Sequence, residues 1–164
     1  MLPSPAPHGP GQESVWAYPR PPRLEACDRH IVIVHAGLKV VDSRRTLRLL
    51  ETSHPPTYYV PPDDVHPGAL VRSPRTSFCE WKGHAVYHHV QIGETRLANV
   101  AWSYPTPTPD FASLARLLAF YAGPFDACYV DNERVTPQPG GFYGGWITSH
   151  VVGPFKGEPG SAGW

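Results

Sequence analysis

The sequence lacks an excess of charge of either sign, since 14 Lys and Arg residues balance 14 Asp and Glu residues. A protein that binds nucleic acid or an anionic membrane through its overall field carries a basic surplus. The sequence also lacks an apolar run of about 18 residues, the length that spans a bilayer. Residues 1–11 lack the charged start and apolar centre of a signal peptide. We therefore expect no nucleic acid and no membrane among the partners, and a cytoplasmic location.

Cysteine is scarce, and its spacing argues against two common kinds of structural support. Cys27, Cys79 and Cys128 are an odd number without a C-x-x-C pair. Disulfide-stabilised domains and structural zinc sites depend on paired or closely spaced cysteines. His84 and His88 would share one face of a strand, but two histidines without a nearby carboxylate or thiolate fall short of a metal site. We expect no metal and no cofactor.

Proline and glycine are abundant, with 21 and 15 residues, yet the composition is that of a folded chain. Aromatic residues make up 12% and apolar residues 41% of the sequence, so there is surface to bury. A length of 164 residues fits one domain with arms. We predict a disordered lead at 1–12, an extended arm rich in proline and aromatic residues at 13–29, a β domain at 30–135, and a C-terminal wrap on the same domain at 136–164.

Turn residues divide the central part of the chain into short strands. Glycine and asparagine tolerate the positive φ that tight hairpins require. Such turns separate three predicted strand pairs, which are 31–34 with 38–41, 85–92 with 95–100, and 127–130 with 134–135. Asp110 is a suitable cap for a helix whose leucines share one face. The fold class is therefore mainly β, built from antiparallel hairpins with one short helix near 110–120 and extended N- and C-terminal arms.

Two short sequence words occur twice in the chain. Residues 16–19 read WAYP and residues 102–105 read WSYP, and residues 81–83 read WKG where residues 155–157 read FKG. Tryptophan is costly to expose, and proline stiffens the backbone. Such stretches either close the edge of a small core or line a binding surface. We expect the aromatic stretches to converge around one shared hollow.

The best-defined candidate site in the sequence is the segment 81–83, in which Lys82 lies between Trp81 and Gly83. The glycine would let the backbone turn, and the lysine would offer a cation next to an aromatic wall. One interpretation is a pocket for a small anionic or carbonyl-bearing ligand. The alternative is a β-turn with Trp81 in the core and Lys82 in solvent.

Four residues are weak catalytic candidates, and each has a plainer explanation. Cys79 would be a nucleophile if a histidine lowered its pKa, but a buried inert thiol is the better explanation. Glu51 and His54, three residues apart, could serve acid–base chemistry or simply satisfy a turn. Lys82 would hold the phosphate of a substrate if the protein is an enzyme.

Several motifs occur in an order that is similar to a known family. They are residues 50–65, the C-x-W-K-G word at 79–83, A-W-S-Y-P at 101–105 and F-Y at 120–121. Together they resemble domain-of-unknown-function family 427, sometimes labelled nucleotidyltransferase-like, over roughly residues 30–135. The C-terminal block resembles that of an extended bacterial subgroup.

The resemblance implies two small antiparallel sheets packed as a β-tent or open barrel, akin to ligand-binding modules with aromatic cages. Many relatives of that fold carry zinc on paired cysteines, which this chain lacks, so zinc is not carried over. The family's usual C-P-W-K-G has Glu80 in place of proline here. Nucleotidyl transfer needs spaced carboxylates that hold magnesium and a Gly-Ser phosphate turn, and this pattern does not occur in the sequence.

We favour an uncharacterised small-molecule-binding domain over two other functions. Its aromatic-lined pocket would be formed by six side chains, namely Trp81, Trp102, Tyr104 and Tyr59 as walls, with Lys82 and His54 as polar contacts. The first alternative is an enzyme acting on a nucleotide or phosphorylated metabolite. The second is a protein-interaction scaffold that uses its proline-rich arms. The sequence leaves the ligand's identity and the oligomeric state open, with a homodimer as one option.

Overall fold

Short strands account for most of the regular structure in the computed structural model, which describes residues 2–164. Several of them are buried along most of their length, as strands covered on both faces are. In chain order they are β1 (Glu13–Ser14), β2 (Arg23–Cys27), β3 (Ile31–His35), β4 (Leu38–Ser43), β5 (Thr46–Leu50), β6 (Thr57–Tyr59), β7 (Leu70–Cys79), β8 (Gly83–Ile92), β9 (Thr95–Ser103), β10 (Leu118–Phe120), β11 (Ala127–Val130), β12 (Glu133–Arg134), β13 (Thr136–Pro137), β14 (Trp146–Ile147) and β15 (Val151–Val152). The predicted mainly-β class is confirmed.

Three antiparallel sheets form the body of the protein. Their strand orders are β12-β11-β3-β4, β10-β9-β8-β7 and β2-β5-β6. The third sheet continues into the second, because Val60 and Leu118 form an antiparallel bridge with N–O distances of 2.7 and 2.9 Å. The second and third sheets together form one continuous layer of seven strands, which we call the long wall. The long wall faces the smaller four-stranded sheet that contains β3 and β4.

The long wall is apolar on both faces, and side-chain alternation explains why. Tyr58 and Val60 belong to the main core, whereas Tyr59 between them belongs to a second apolar cluster. In β10, Phe120 joins the main core and Ala119 joins the second cluster. The main core lies between the wall and the β3–β4 sheet and includes Ile31, Ile33, Val40, Val41, Val90 and Val100. The second cluster lies on the opposite face of the wall.

The C-terminal segment, predicted as a wrap, supplies a large side chain to the main core. Trp146 in β14 is fully buried, and its indole Nε1 donates to the carbonyl oxygen of Phe120 at 2.9 Å. Its ring centroid lies 5.4 Å from that of Tyr58. A buried indole that also satisfies its N–H anchors the segment firmly.

The N-terminal arm packs on the body through a charged cluster around Arg48. Both guanidinium Nη atoms of Arg48 bond the carboxylate of Glu13, at 2.9 and 3.2 Å, and Nη2 also bonds Glu25 at 2.7 Å. Tyr18 donates to the same Glu13 carboxylate at 2.7 Å. The predicted disordered lead spans 1–12, of which Met1 lies outside the described residues. Within it, the amide of Ala6 donates to the carbonyl oxygen of Gly153 in the C-terminal segment at 2.9 Å.

Two predicted elements have a different extent from the one the sequence suggests. The helix near 110–120 is a 3-10 helix at Pro109–Leu114, because Phe111 has a non-helical φ of −117° and Arg116 a φ of +69°. The residues after it pair as β10 instead of extending the helix. A second candidate helix at 44–50, which is too short for its sequence to distinguish a helix from a strand, contains strand β5. None of the helical segments within residues 2–164 has the length and hydropathy that a membrane crossing requires.

We predict that acid loosens the N-terminal arm. Hydrogen bonding to the Arg48 guanidinium lowers the pKa of Glu13 below its usual 4.5. A carboxyl with a lowered pKa stabilises the folded state above its unfolded pKa and loses that contribution as pH falls through the folded value. Thermal unfolding followed by circular dichroism should therefore show stability falling below about pH 4.5. Glu13→Gln should cost about 1–2 kcal/mol at pH 7 and flatten this pH dependence. An unchanged acid limb in the variant would contradict the assignment.

Candidate functional site

A cavity of about 540 Å³ lies on the face of the long wall that is turned away from the main core. All eight side chains that the sequence suggested for binding or catalysis line it, namely Glu51, His54, Tyr59, Cys79, Trp81, Lys82, Trp102 and Tyr104. They come from β6, the end of β7 and the turn that follows it, the end of β9 and the residue that follows it, and the loop after β5. Strand pairing thus gathers side chains that are more than fifty positions apart in the chain.

The two W-x-Y-P words do not converge on this cavity. Trp102 and Tyr104 line it, but Trp16 and Tyr18 belong to a separate cluster where the N-terminal arm packs on the C-terminal segment. The indole Nε1 of Trp16 donates to Pro154 at 2.8 Å. The expectation of one shared hollow is therefore wrong for the first copy, because its aromatic groups close the edge of a small core.

The turn that carries Lys82 is fixed by backbone contacts. Gly83 has a φ of +102°, a conformation that favours glycine, and it lies against the 106–108 segment. Thr108 donates its hydroxyl to the carbonyl of Trp81 at 2.6 Å and its amide to the carbonyl of Lys82 at 3.1 Å. These bonds hold the Lys82 side chain toward the cavity, with Nζ 5.6 Å from the centroid of the Tyr104 ring.

Lys82 is buried without a counterion. The residue is 8% exposed, and within residues 2–164 its Nζ makes neither a salt bridge nor a hydrogen bond to oxygen; the Cys79 thiol is the side chain whose hydrogen bond contributes to the raised pKa of Lys82. Burial acts to lower the pKa of Lys82, but the neighbouring Tyr59, Cys79 and Glu51 side chains outweigh it and the pKa is raised overall. The side chain is therefore a cation at neutral pH. A buried cation beside an aromatic ring and an open cavity is suited to holding an anion.

Lys156, in the FKG word that echoes WKG, shows the contrasting arrangement. It is 9% exposed, nearly the same as Lys82, but its Nζ donates to the carbonyl oxygens of Ser161 and Ala162 at 2.8 and 2.7 Å. Its own amide donates to Ser53 at 2.8 Å. Lys156 is thus committed to holding the C-terminal segment in place.

The Glu51 carboxylate lies next to His54, and it already interacts with two side chains of the protein. Its Oε2 lies 3.6 Å from Nε of Arg20 and 3.5 Å from Nε2 of His54. Arg20 also donates to the carbonyl of Thr52 at 2.9 Å, which keeps the guanidinium beside the carboxylate. Lys82 therefore faces the cavity without Glu51 as a direct partner.

The orientation of the His54 ring is fixed by Gln138. The Gln138 amide has one orientation, because its Oε1 accepts from the amide of Gly145 at 3.0 Å and its Nε2 donates to the carbonyl of Lys156 at 2.9 Å. The same Nε2 lies 3.0 Å from His54 Nδ1, which must accept. The neutral ring then carries its proton on Nε2, which faces Glu51. Burial, together with the charges of Arg20, Lys156 and Lys82, lowers the pKa of His54 to about 4.

Aromatic side chains form the walls of the cavity. The ring of Trp102 lies 4.7 Å from that of Tyr121, and the ring of Tyr59 lies 6.5 Å from that of Tyr104. Burial raises the pKa of both Tyr59 and Tyr104, so these phenols are neutral at physiological pH. The walls therefore add apolar surface and no negative charge.

A glycine-rich loop at 141–145 covers one side of the cavity. Gly144 packs so closely on the indole of Trp102 that a Cβ there would overlap the ring. The Tyr143 ring meets the His54 ring edge-on, with centroids 4.8 Å apart. A second cavity of about 400 Å³ lies on the other side of this loop. Sequence reasoning missed Tyr143, Gly144 and Gln138 as site residues, because nothing local in 136–164 tells which part of the body that segment touches.

Of the remaining candidates, Cys79 lies in the cavity wall and His88 lies outside the cavity. Cys79 is a free, partly buried thiol in the cavity wall, and the histidine that shares the cavity with it is His54. His88 bonds Ser103 at 3.1 Å, outside the cavity lining. Among residues 2–164 no group of three or more His, Cys, Asp or Glu side chains has the arrangement of a metal site.

The family model described as "Domain of unknown function (DUF427)" matches residues 23–131 of the sequence. The match covers about two thirds of the chain, and the protein belongs to this family, as its motifs suggested. No curated protein matches the sequence as a relative. The matched region contains Lys82 and the aromatic walls, whereas Gln138, Tyr143 and Lys156 follow it in the chain. The family domain therefore builds the cavity, and a segment beyond the matched region closes one side.

We predict that His54 titrates far below an ordinary histidine. Its burial among cations disfavours the charged ring, so a histidine-selective NMR titration should give a midpoint near 4. Because the folded pKa is lowered from 6.5, the unfolded state binds more protons, and the contribution of His54 to stability is lost as pH falls from about 6.5 toward 4. The same titration of Gln138→Ala serves as the comparison, because the His54 ring then lacks the amide that donates a hydrogen bond to its Nδ1. A wild-type midpoint above 6 would rule out the buried, neutral ring.

Proposed function

We propose that this member of family 427 binds a small organic anion in the main cavity, with the Lys82 ammonium as the charge partner of the ligand. The observation that carries the proposal is the burial of Lys82 without a counterion. A buried charge without a partner costs free energy, and proteins that keep one commonly use it at a functional site. An anion in the cavity would supply the missing partner as a charge-assisted hydrogen bond.

The size and walls of the cavity indicate the rest of the ligand. A volume of about 540 Å³ falls in the range of small-molecule sites. Trp81 and Trp102 offer flat apolar surface for a planar group, and the neutral phenols of Tyr59 and Tyr104 do not repel an anion. We therefore propose a ligand with one negative group, a carboxylate or phosphate, attached to a planar apolar body.

The enzyme alternative, a reaction on a nucleotide or phosphorylated metabolite, shares Lys82 with this proposal but is less well supported. The base it requires would be Glu51 or His54. His54 accepts from Gln138 on one ring nitrogen and faces Glu51 with the other, while Glu51 also pairs with Arg20. Both candidate bases are engaged with the protein, which favours binding over catalysis by these residues.

The scaffold alternative requires arms whose aromatic groups are free for a partner. The Trp16 ring lies 5.6 Å from that of Trp164 and its N–H bonds Pro154 within the chain. The aromatic groups of the N-terminal arm are thus occupied by the protein itself, and we rank this alternative last.

We predict that Lys82→Met stabilises the unliganded protein while it removes anion binding. Methionine fills a similar volume without an unpaired charge, so the free energy of unfolding should rise by about 1–3 kcal/mol. Thermal unfolding should show this as a higher Tm, by about 2–4 °C per kcal/mol. The matched control is Lys156→Met, which removes two charged hydrogen bonds and should lower stability by about 2–3 kcal/mol. Destabilisation by both substitutions would contradict the assignment of Lys82 as unpartnered.

Isothermal titration calorimetry with two ligands of one shape tests the binding itself. We expect 1-naphthaleneacetate to bind wild-type protein at least tenfold more tightly than the neutral 1-naphthaleneacetamide, and Lys82→Met to abolish the difference. Phenyl phosphate and a nucleoside monophosphate, measured in parallel, distinguish a carboxylate site from a phosphate site. Equal binding of the acid and the amide, or no binding of any of these anions at millimolar concentration, would overturn the proposal.

A further inference from the structure

Cys79 is the residue of the main cavity that is both nucleophilic and adjacent to the proposed anion site. It ends β7, and Lys82 lies in the turn that follows, with Cys79 and Gly83 paired across the hairpin. The thiol is close enough to the Lys82 ammonium to contribute to its raised pKa. Both side chains line the same cavity, and Cys79 is partly accessible.

The other two cysteines lack this arrangement. Cys128 is buried in the main core, and burial raises its thiol pKa to about 12. Cys27 is partly buried on β2 and lines a separate polar cavity of about 230 Å³. Cys79 is therefore the cysteine that a ligand held at Lys82 would meet.

We propose that Cys79 forms a thioether with organic acids that carry an electrophilic carbon next to the carboxylate. This inference rests on the proposed function, because Lys82 would hold the carboxylate and thereby present the neighbouring carbon to the thiolate. Holding two reactants at contact distance raises the rate by converting a bimolecular reaction into an effectively unimolecular one. Lys82 also lines the same cavity as the Cys79 sulfur, so the reagent's carboxylate and its electrophilic carbon would reach both side chains together.

The reaction balances for a 2-halo acid without any further reactant. The Cys79 thiol releases its proton to solvent, and the thiolate sulfur attacks the carbon that bears the halogen. The sulfur–carbon bond forms as the carbon–halogen bond breaks, and halide leaves with the bonding electron pair. No oxidation or reduction occurs, and the carboxylate on Lys82 is unchanged.

Iodoacetate and iodoacetamide test this inference, because they differ in charge and deliver the same electrophilic carbon. Alkylation rates are measured for each cysteine by mass spectrometry of peptides from the folded protein. We expect Cys79 to react at least tenfold faster with iodoacetate than with iodoacetamide. Cys27 serves as the internal control and should lack this preference. Lys82→Met should remove the preference at Cys79, and bound 1-naphthaleneacetate should protect Cys79 in wild-type protein.

The outcomes separate this inference from the proposed function. If 1-naphthaleneacetate binds in a Lys82-dependent way but Cys79 reacts slowly with both reagents, the anion site stands and the nucleophilic role of Cys79 is wrong. If Cys79 reacts faster with iodoacetamide than with iodoacetate in both wild type and Lys82→Met, the inference is overturned as well. If the wild-type protein binds none of the anions in the calorimetric experiment, but Cys79 still reacts faster with iodoacetate than with iodoacetamide, only the proposed ligand class is contradicted.

Discussion

A positive charge held inside the protein without a negative partner is the constraint on which the account of this site depends. Lys82 is as buried as Lys156, but only Lys156 has carbonyl oxygens in contact with its ammonium. Desolvation of an ammonium group is expensive, so the two lysines differ in what they cost the folded state. The cost at Lys82 is consistent with a site whose partner comes from outside the chain.

The fold explains how a domain of this size holds both a core and a cavity. The long wall of strands is apolar on both faces, so one face packs against the β3–β4 sheet and the other is left for aromatic side chains. Trp146 and Gln138 from the C-terminal segment then serve opposite faces, the first in the main core and the second beside His54. One segment thereby stabilises the core and closes the cavity.

Local sequence patterns predicted the hairpins well, because glycine and asparagine at tight turns act through the backbone of the same few residues. They could not distinguish the two copies of a repeated word. Trp16 and Trp102 are each followed by the same Tyr-Pro pair two residues later in the sequence. Trp16 nevertheless packs on the C-terminal segment, whereas Trp102 lines the cavity. Lys82 and Lys156 differ for the same reason, since contacts distant in sequence decide what surrounds each. The helix near 110–120 is shorter than its apolar spacing implied, because Leu118 pairs with Val60.

Anomalous diffraction from a crystal soaked in sodium bromide tests the central claim most directly, since bromide is a small anion that can be located without ambiguity. We expect a bromide ion in hydrogen-bonding contact with Nζ of Lys82, inside the main cavity, and no ion at Nζ of Lys156. A Lys82 side chain turned onto Glu51 or a backbone carbonyl, with no bromide beside it, would contradict the account.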